Sequence, residues 1–270
     1  MKEITSKDNP TYKEARRLLR KKYRDQTGMF LMEGPRPVRD AVKEGARLAY
    51  VFIRASGAGE DETKDLAGLC AENNIDCVLL SDELFDGISD TENSQGVIGA
   101  AHKKAPADAG DQDAAGRILI LDRLQDPGNI GTIIRTAEAA GFGTLIAIKG
   151  TGDVYSPKTV RAAAGSLLRV NVFEGYTASD AVNYCQERSV RIIASDLEGS
   201  VEYTAADLTG RIALVIGNEG SGISDEIRQS ADTKVRIPMK GNIESLNAAV
   251  AAGVLMYETM RQSSDAGKVK

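Results

Sequence analysis

The second half of the chain is a series of short apolar segments that alternate with segments of helical character. From Arg117 onward, nearly uninterrupted runs of Ile, Leu, Val and Ala occupy residues 118–121, 144–148, 190–194, 212–216 and 235–237. A strand without polar alternation is typical of a sheet covered on both faces, and alternation with helices indicates parallel strands. The sequence therefore predicts a parallel, doubly wound α/β sheet.

Ligands of such sheets bind beyond the carboxyl ends of the strands. The connections that follow the predicted strands are therefore expected to carry function. They are residues 122–129, 149–155, 195–199, 217–222 and 238–247.

The first hundred residues contain another alternation of helices and strands. Helices are predicted at residues 10–24, after Pro35, at 61–73 and after Ser81, which is a candidate cap; strands are predicted at 28–33, 49–53, 76–80 and 96–100. Residues 103–116 are rich in Ala, Gly and Asp and hold no large apolar side chain, so they cannot bury enough surface to order themselves. We expect a small N-terminal α/β domain at residues 1–103, a linker at 104–116 and a larger domain at 117–270.

Composition narrows the class of protein. The 270 residues are 42% hydrophobic and 27% charged, which is typical of a globular protein in water, and no apolar run approaches the roughly 20 residues of a membrane helix. The N-terminus lacks the apolar core of a secretory signal, and Cys70, Cys77 and Cys185 show no paired spacing. A single histidine, His102, disfavours a His-based triad or a multi-His zinc site. We expect a cytoplasmic, metal-free protein that does not enter a membrane.

Charge is unevenly distributed along the chain. The net charge is −5, yet residues 1–49 hold 13 Lys and Arg against 7 Asp and Glu, whereas residues 50–116 hold 4 against 14. Affinity for a nucleic acid depends on local charge, so the basic N-terminal segment is a candidate phosphate-contacting face. A solvated helix face explains the charge equally well.

Three motifs follow predicted strands of the second half. In the first, Gly128 and Gly131 lie at the turn into a helix, with Asn129 at its start and Arg135 near its middle. It is not the Gly-x-Gly-x-x-Gly dinucleotide motif. Taken alone, it is better explained as an ordinary turn capped by Asn129, with Arg135 facing solvent.

The second motif, residues 217–222, places three glycines and one carboxylate directly after a strand, where a ligand could approach the backbone. The third, residues 236–253, is a strand end, a glycine loop and an Ala-rich helix. Ser245 is the predicted cap of that helix, and Leu246, Val250 and Val254 are predicted to share its apolar face. The alternative for the second motif is a loop rich in positive-φ positions, and the alternative for the third is an ordinary strand–loop–helix connection with an Ala-rich helix.

Together the motifs are far more specific than any one of them. Asp126-Pro-Gly-Asn-Ile-Gly131 with Arg135, then Ile216-Gly-Asn-Glu-Gly220, then Ile237-Pro-Met239 with Ser245-Leu-Asn-Ala-Ala-Val-Ala251 resemble, in order and spacing, the three signature motifs of the SpoU (TrmH) family of RNA ribose 2′-O-methyltransferases, part of the SPOUT superfamily. The resemblance covers residues 117–261. Residues 30–38 look, more loosely, like the small ribosomal-protein-like substrate-binding domain that many members carry.

The resemblance implies a C-terminal domain that ends in a deep trefoil knot and forms a homodimer, with an active site that takes residues from both subunits. It implies that the knot binds S-adenosylmethionine. The implied cofactor-binding residues are Gly217, Asn218, Ile237, Pro238, Met239 and Leu246.

The implied reaction is attack of a ribose 2′-hydroxyl on the methyl group of a sulfonium, for which no metal is needed. The family's motif Arg corresponds to Arg135. Because a guanidinium has hydrogen-bond donors only and no free lone pair, we predict that it grips an adjacent RNA phosphate and polarises the hydroxyl, rather than acting as a base. The polar residues expected to orient the reactants are Asn129, Glu219, Ser245 and Asn247.

Candidate RNA contacts are Arg16, Arg17 and Arg36 in the N-terminal domain and Arg161 in the C-terminal one. Large-subunit (23S) ribosomal RNA is the favoured substrate, because this type of N-terminal domain recurs among ribosomal-RNA modifiers. The alternatives are a transfer-RNA ribose 2′-O-methyltransferase and a non-catalytic RNA-binding or ribosome-assembly protein. A nucleotide-dependent α/β enzyme is disfavoured by the missing dinucleotide motif.

Overall fold

A computed structural model describes residues 1–105, 116–243 and 245–266. The predicted linker, residues 104–116, lies almost wholly outside the described residues. The N-terminal elements follow in chain order: β1 (Lys2–Ile4), α1 (Pro10–Arg17), α2 (Lys21–Thr27), β2 (Met29–Glu33), α3 (Pro35–Lys43), β3 (Leu48–Arg54), α4 (Asp61–Glu72), β4 (Cys77–Leu80), α5 (Asp82–Asp86) and β5 (Val97–His102).

The C-terminal elements are β6 (Arg117–Asp122), α6 (Pro127–Ala139), β7 (Thr144–Ile148), α7 (Pro157–Ala163), β8 (Asn171–Tyr176), α8 (Ala178–Glu187), β9 (Arg191–Ser195), β10 (Val201–Glu202), β11 (Ile212–Gly217), α9 (Asp225–Ser230), β12 (Thr233–Arg236) and α10 (Ala248–Ala266). Contacts divide the chain into two units. The first is Met1–Lys104 with Tyr155–Leu168, and the second is Ala105–Val154 with Arg169–Lys270. The segment that contains α7 therefore groups with the N-terminal elements.

The first unit is built on a mixed five-stranded sheet in the order β1-β4-β3-β5-β2. Side chains of α1 and α5, among them Tyr12 and Phe85, share a buried cluster with Leu31 on one face. A Cβ on Gly99 would meet Val38 of α3 at 3.1 Å and Met32 at 3.3 Å. Because Leu31 and Met32 are neighbours in β2, they point to opposite faces. Hence α1, α2 and α5 cover one face of the sheet, and α3 and α4 cover the other.

The predicted single helix at residues 10–24 is wrong. α1 begins at Pro10, where Asn9 Oδ1 accepts from the backbone N–H of Thr11 at 2.9 Å, but it ends at Arg17. Arg20 is extended, with φ −100° and ψ 128°, and α2 starts after it. The buried guanidinium of Arg24 donates to the carbonyl of Leu18 at 2.5 Å, which satisfies a carbonyl left free by the break.

The second unit is built on a seven-stranded sheet, and every pairing in it is parallel, in the order β10-β12-β9-β11-β6-β7-β8. One face packs on α8 and α9 through a cluster that includes Ile146, Val215, Cys185 and Ile227. The predicted α/β fold with a parallel sheet is confirmed. Two strands were missed, because β8 contains Asn, Glu and Gly and β10 is two exposed residues long; both are edge strands.

Candidate active site

The carboxyl ends of four neighbouring strands, β6, β11, β9 and β12, carry the candidate site. The chain runs outward from β6 to β7 and β8 and then returns to place β11 and β9 on the other side of β6, which is the switch point where open α/β sheets bind ligands. A cavity of about 340 Å³ lies at these ends. Its lining residues are Ser195, Asp196, Leu197, Ile216, Gly217, Asn218, Glu219, Gly220, Gly222, Arg236, Ile237, Met239, Ser245, Leu246, Ala248 and Ala251.

The loop after β11 is a tight turn held by its own backbone. Asn218 and Gly222 exchange two backbone hydrogen bonds of 3.0 and 2.9 Å, and Asn218 Oδ1 accepts from the N–H groups of Gly220 and Ser221. A Cβ on Gly217 would lie 2.5 Å from the carbonyl carbon of Gly222. A side chain at position 217 would clash with the backbone of the turn. The turn itself therefore requires glycine there, whether or not a ligand binds.

Hydrogen bonds connect this loop to the end of β6. The Asp122 carboxylate is fully buried; its Oδ1 accepts from Arg123 Nε at 2.9 Å and its Oδ2 from the backbone N–H of Ser224 at 2.6 Å. Arg123 has a positive φ of 59°, and its carbonyl accepts from Asn218 Nδ2 at 3.0 Å. Asn218, a predicted cofactor residue, thus uses both ends of its side-chain amide to hold the loop.

Three predicted catalytic residues from the three motifs form one hydrogen-bonded network. Asn247 Oδ1 accepts from the backbone N–H groups of Ala249 and Val250, which leaves its Nδ2 to donate, and it donates to Asn129 Oδ1 at 2.9 Å. Asn129 Nδ2 then donates to Glu219 Oε1 at 2.8 Å. Since an amide has one accepting and one donating end, the helix N–H groups fix the direction of the whole network.

Two predicted helix caps are wrong. Asp126, not Asn129, caps α6, because its carboxylate accepts from the backbone N–H of Asn129 at 2.8 Å. α10 begins at Ala248, and the bonds to Asn247 Oδ1 make Asn247 its cap, so Ser245 lies before the helix. The predicted apolar face also fails: Leu246 precedes α10, and Val250 is 52% exposed.

Five of the six predicted cofactor-binding residues line the cavity: Gly217, Asn218, Ile237, Met239 and Leu246. The sixth, Pro238, is exposed and is not part of the lining. The predicted catalytic residues Glu219 and Ser245 line it as well. Sequence reasoning pointed to the loop after β9 but did not single out Asp196, or Arg236 at the end of β12. The signal that could have found Asp196 is its position, directly after a buried strand.

Asp196 is held in place on the wall of the cavity. Its Oδ1 accepts from the backbone N–H of Leu197 at 2.8 Å, and its Oδ2 accepts from Arg228 Nε at 2.7 Å. This hydrogen bond and the charge of Asp196 raise the pKa of Arg228 above its ordinary value. Within the part of the chain that the structure describes, no group of three or more His, Cys, Asp or Glu side chains is placed to hold a metal ion.

The predicted arginines do not gather at the cavity. Arg135 is exposed on α6, outside the cavity lining, and its side chain makes no ion pair or hydrogen bond with any described residue. Arg161 pairs with Asp90 within the first unit at 3.0 Å. Arg16 and Arg17 lie on α1 and Arg36 lies on α3, so these candidates occupy opposite faces of the first sheet.

Comparison with known proteins explains this combination of motifs. A family described as the SpoU rRNA Methylase family matches residues 116–257. The chain belongs to the SpoU rRNA methylase family. Residues 9–99 match a second family, described as the MRM3-like substrate binding domain. The family prediction made from the three motifs is confirmed.

Relatives in the SpoU family match nearly the whole chain. The 23S rRNA (guanosine(2553)-2'-O)-methyltransferase RlmP of Bacillus subtilis is 33% identical over 257 residues, which cover 95% of this chain and 98% of the relative. The 23S rRNA (uridine(2479)-2'-O)-methyltransferase of Streptomyces viridochromogenes is 31% identical, over 88% of this chain and 85% of the relative. The crystal structure of an AdoMet-bound rRNA methyltransferase from Sinorhizobium meliloti is similar with a TM-score of 0.85 and 32% identity, over 96% of this chain and 97% of that one.

Proposed function

We propose that this SpoU-family protein transfers a methyl group from S-adenosylmethionine to a ribose 2′-hydroxyl of 23S ribosomal RNA. The observation that carries the proposal is the Asn247–Asn129–Glu219 network, which joins all three family motifs beside one cavity. Family membership and the names of the relatives bear out the predicted enzyme class, the predicted cofactor and ribosomal RNA as the class of substrate.

The cavity suits S-adenosylmethionine in size and chemistry. Ligand cavities begin at about 300 Å³, and this one has apolar walls from Leu197, Met239 and Leu246. Asp196 and Glu219 place carboxylates on the same walls, which favours a ligand with a sulfonium and an ammonium group. When bound, the cofactor supplies an activated methyl group. Gly217, Asn218, Ile237, Met239 and Leu246 would hold it, with Pro238 at the exposed end of the same loop.

The protein's part in the reaction is to orient the hydroxyl and stabilise charge. We assign Asn129, Glu219, Ser245 and Asn247 to orientation of the ribose, because the network fixes which amide ends donate and which accept. A guanidinium has hydrogen-bond donors and no acceptor, so Arg135 would act as a donor that grips the neighbouring phosphate and polarises the 2′-hydroxyl. Its exposed position outside the cavity lining suits contact with a large substrate.

The proposed function also implies a domain organisation and a dimer. We infer an N-terminal substrate-binding domain at residues 1–103, a linker at 104–116 and a methyltransferase domain at 117–270 that carries the family's deep trefoil knot. The C-terminal domain would form a homodimer; exposed Val250 and Tyr257 on α10 support this, being 52% and 47% exposed. Among the described residues, no helix has the length and apolar character needed to cross a bilayer. The free thiols of the three cysteines suit the reducing cytoplasm.

The test is transfer of a labelled methyl group from S-adenosylmethionine to unmodified 23S ribosomal RNA and to unmodified transfer RNA, with the labelled nucleotide mapped. Label on one ribose 2′-oxygen of 23S RNA is the expected result. Label on transfer RNA alone would support the proposed reaction but show that transfer RNA, and not 23S ribosomal RNA, is the substrate. Cofactor binding without label on either RNA or on precursor ribosomal particles would indicate a non-catalytic RNA-binding protein.

A further inference from the structure

The two helical layers of the first unit differ in charge. Residues 10–27, which form α1, α2 and their connection, hold two acidic side chains and six exposed basic ones: Lys13, Arg16, Arg17, Arg20, Lys21 and Lys22. α3 and α4, on the opposite face of the sheet, hold four basic and five acidic side chains. The basic N-terminal segment noted in the sequence is therefore split by the fold, and its positive excess lies on one face.

The excess is concentrated where α1 meets α2. Five of the six exposed cations lie within residues 16–22, which we call the junction surface. The side chains of Arg16, Arg20 and Lys22 form no ion pair or hydrogen bond with any residue that the structure describes. Arg17 lies over the ring of Tyr23, with 5.7 Å between its guanidinium carbon and the ring centroid.

Nearby acidic groups do not cancel this charge. α5 covers the same face, but its Glu83 pairs with Lys7 at 2.5 Å and its Asp86 pairs with Arg54. Asp25 is 3.6 Å from Lys21, which leaves the other junction cations without a counter-charge within ion-pair distance among the described residues. A cation that is already paired with a carboxylate contributes little to RNA affinity when it contacts a phosphate. An unpaired cation displaces counterions condensed on the nucleic acid, and their release favours binding.

We propose that the junction surface is where the first unit binds the sugar-phosphate backbone of the RNA substrate, and that Arg36 on the opposite face makes no such contact. The inference rests on the proposed function for the identity of the RNA. Contacts of this kind set position and affinity and carry no base sequence, which suits a unit separate from the site of methyl transfer.

The experiment measures binding of the full-length protein to unmodified, in vitro transcribed 23S ribosomal RNA between 50 and 200 mM salt. One variant combines Arg16→Gln, Arg20→Gln and Lys22→Gln; the charge-matched control combines Lys43→Gln, Arg47→Gln and Lys64→Gln; a third carries Arg36→Gln alone. The junction variant should bind at least about tenfold more weakly, and its slope of log K against log salt should be shallower by about 2 to 3. The control and Arg36→Gln should keep the wild-type slope.

The proposal is overturned if the control loses as much of the slope as the junction variant, or if Arg36→Gln alone reduces it by about 1. Methyl transfer by the wild-type protein separates this inference from the proposed function. A wild type that methylates 23S RNA, with a junction variant that keeps the full salt slope, rejects the junction surface alone. A wild type that binds RNA through the junction but transfers no methyl group rejects the enzymatic proposal alone. Unchanged far-UV circular dichroism and unchanged denaturant unfolding in all variants exclude a folding defect of the first unit.

Discussion

In the second unit, Asn129 and Asn247 are 118 residues apart in sequence and meet at one edge of a sheet. In the first unit, Arg16 and Arg36 are only about 20 residues apart and lie on opposite faces of the sheet. The all-parallel order of β6, β11, β9 and β12 explains the first behaviour, because the carboxyl ends of parallel strands share one edge. The mixed sheet of the first unit is covered by a helical layer on each face, so Arg16 and Arg36 diverge. Separation in sequence therefore did not predict which of these side chains share a surface.

Arg135 is an exception within the second unit, because it belongs to the first motif yet lies outside the cavity lining. Arg135→Ala should lower turnover by roughly 10²–10⁴ through loss of hydroxyl activation, with S-adenosylmethionine affinity nearly unchanged. Single-turnover methyl transfer and calorimetry of cofactor binding measure the two effects separately. Arg135→Lys, which keeps the charge but loses the planar fork of donors, should lie between Ala and wild type. An equal loss of cofactor affinity would place Arg135 in the cofactor site instead.

The Asn247–Asn129–Glu219 network is the physical link between the three motifs. Asn129→Asp replaces the donating Nδ2 with an oxygen that faces the Glu219 carboxylate, 2.8 Å away in the wild type. Hydrogen bonds to a charged group contribute about 1.5–3 kcal/mol, so we expect kcat/KM to fall by roughly 10- to 100-fold.

The matched control for this prediction is the double variant Asn129→Asp with Glu219→Gln, which restores a donor opposite an acceptor with the roles reversed. It should recover part of the activity lost by Asn129→Asp. Additive losses in the double-mutant cycle would show that the two side chains act independently and that the network carries no function.

Sequence was sufficient to place Gly217, Glu219 and Asn247 at one edge, because the apolar runs predict strands and parallel strands dictate where their ends lie. It predicted Ser245 as the cap of α10, whereas Asn247 is the cap, because both residue types accept from helix N–H groups and only the residue at which the helix starts decides. The break at Arg20 carries no Gly or Pro, so local propensity gave no sign of it. Whether Arg36 shares a face with Arg16 depends on the order of the strands and on the face over which each helix crosses the sheet, which no local pattern encodes.

The close approach of the Gly217 and Gly222 backbones in the second unit predicts a smaller effect, on the free energy of unfolding. Gly217→Ala forces a Cβ to within 2.5 Å of the Gly222 carbonyl carbon, so the loop must move; overpacking of this kind costs about 1–3 kcal/mol of unfolding free energy. Gly220→Ala is the control, because its Cβ would meet only Asn218 Oδ1 at 3.6 Å. Denaturant unfolding should separate the two variants. Equal, small losses would show that the turn is more adaptable than its hydrogen bonds indicate.

In the first unit, the side chain of Glu33 holds the loop at residues 89–94, and its substitution should have the smallest effect of those considered. Burial alone would raise the pKa of Glu33, but hydrogen bonds from the side chains of Ser94, Thr91 and Ser89 and from the Asp90 N–H outweigh it, so the pKa lies below its ordinary value. A depressed folded-state pKa stabilises the protein above the unfolded-state value, and this stability is lost as pH falls through the folded-state pKa. Glu33→Gln should therefore cost about 1 kcal/mol near pH 7, because the site is only half-buried.

The pH dependence distinguishes this cause from a simple packing defect. The difference in unfolding free energy between wild type and Glu33→Gln should stay constant from pH 7 to about 5. It should shrink as the pH falls below about 4.5, where the carboxylate of the unfolded chain begins to protonate while that of the folded chain is still ionised. Glu92→Gln removes the same charge from an exposed position of the same loop and should leave stability nearly unchanged. A Glu33→Gln deficit that persists undiminished at pH 3 would mean that shape, and not the ionised carboxylate, holds the loop.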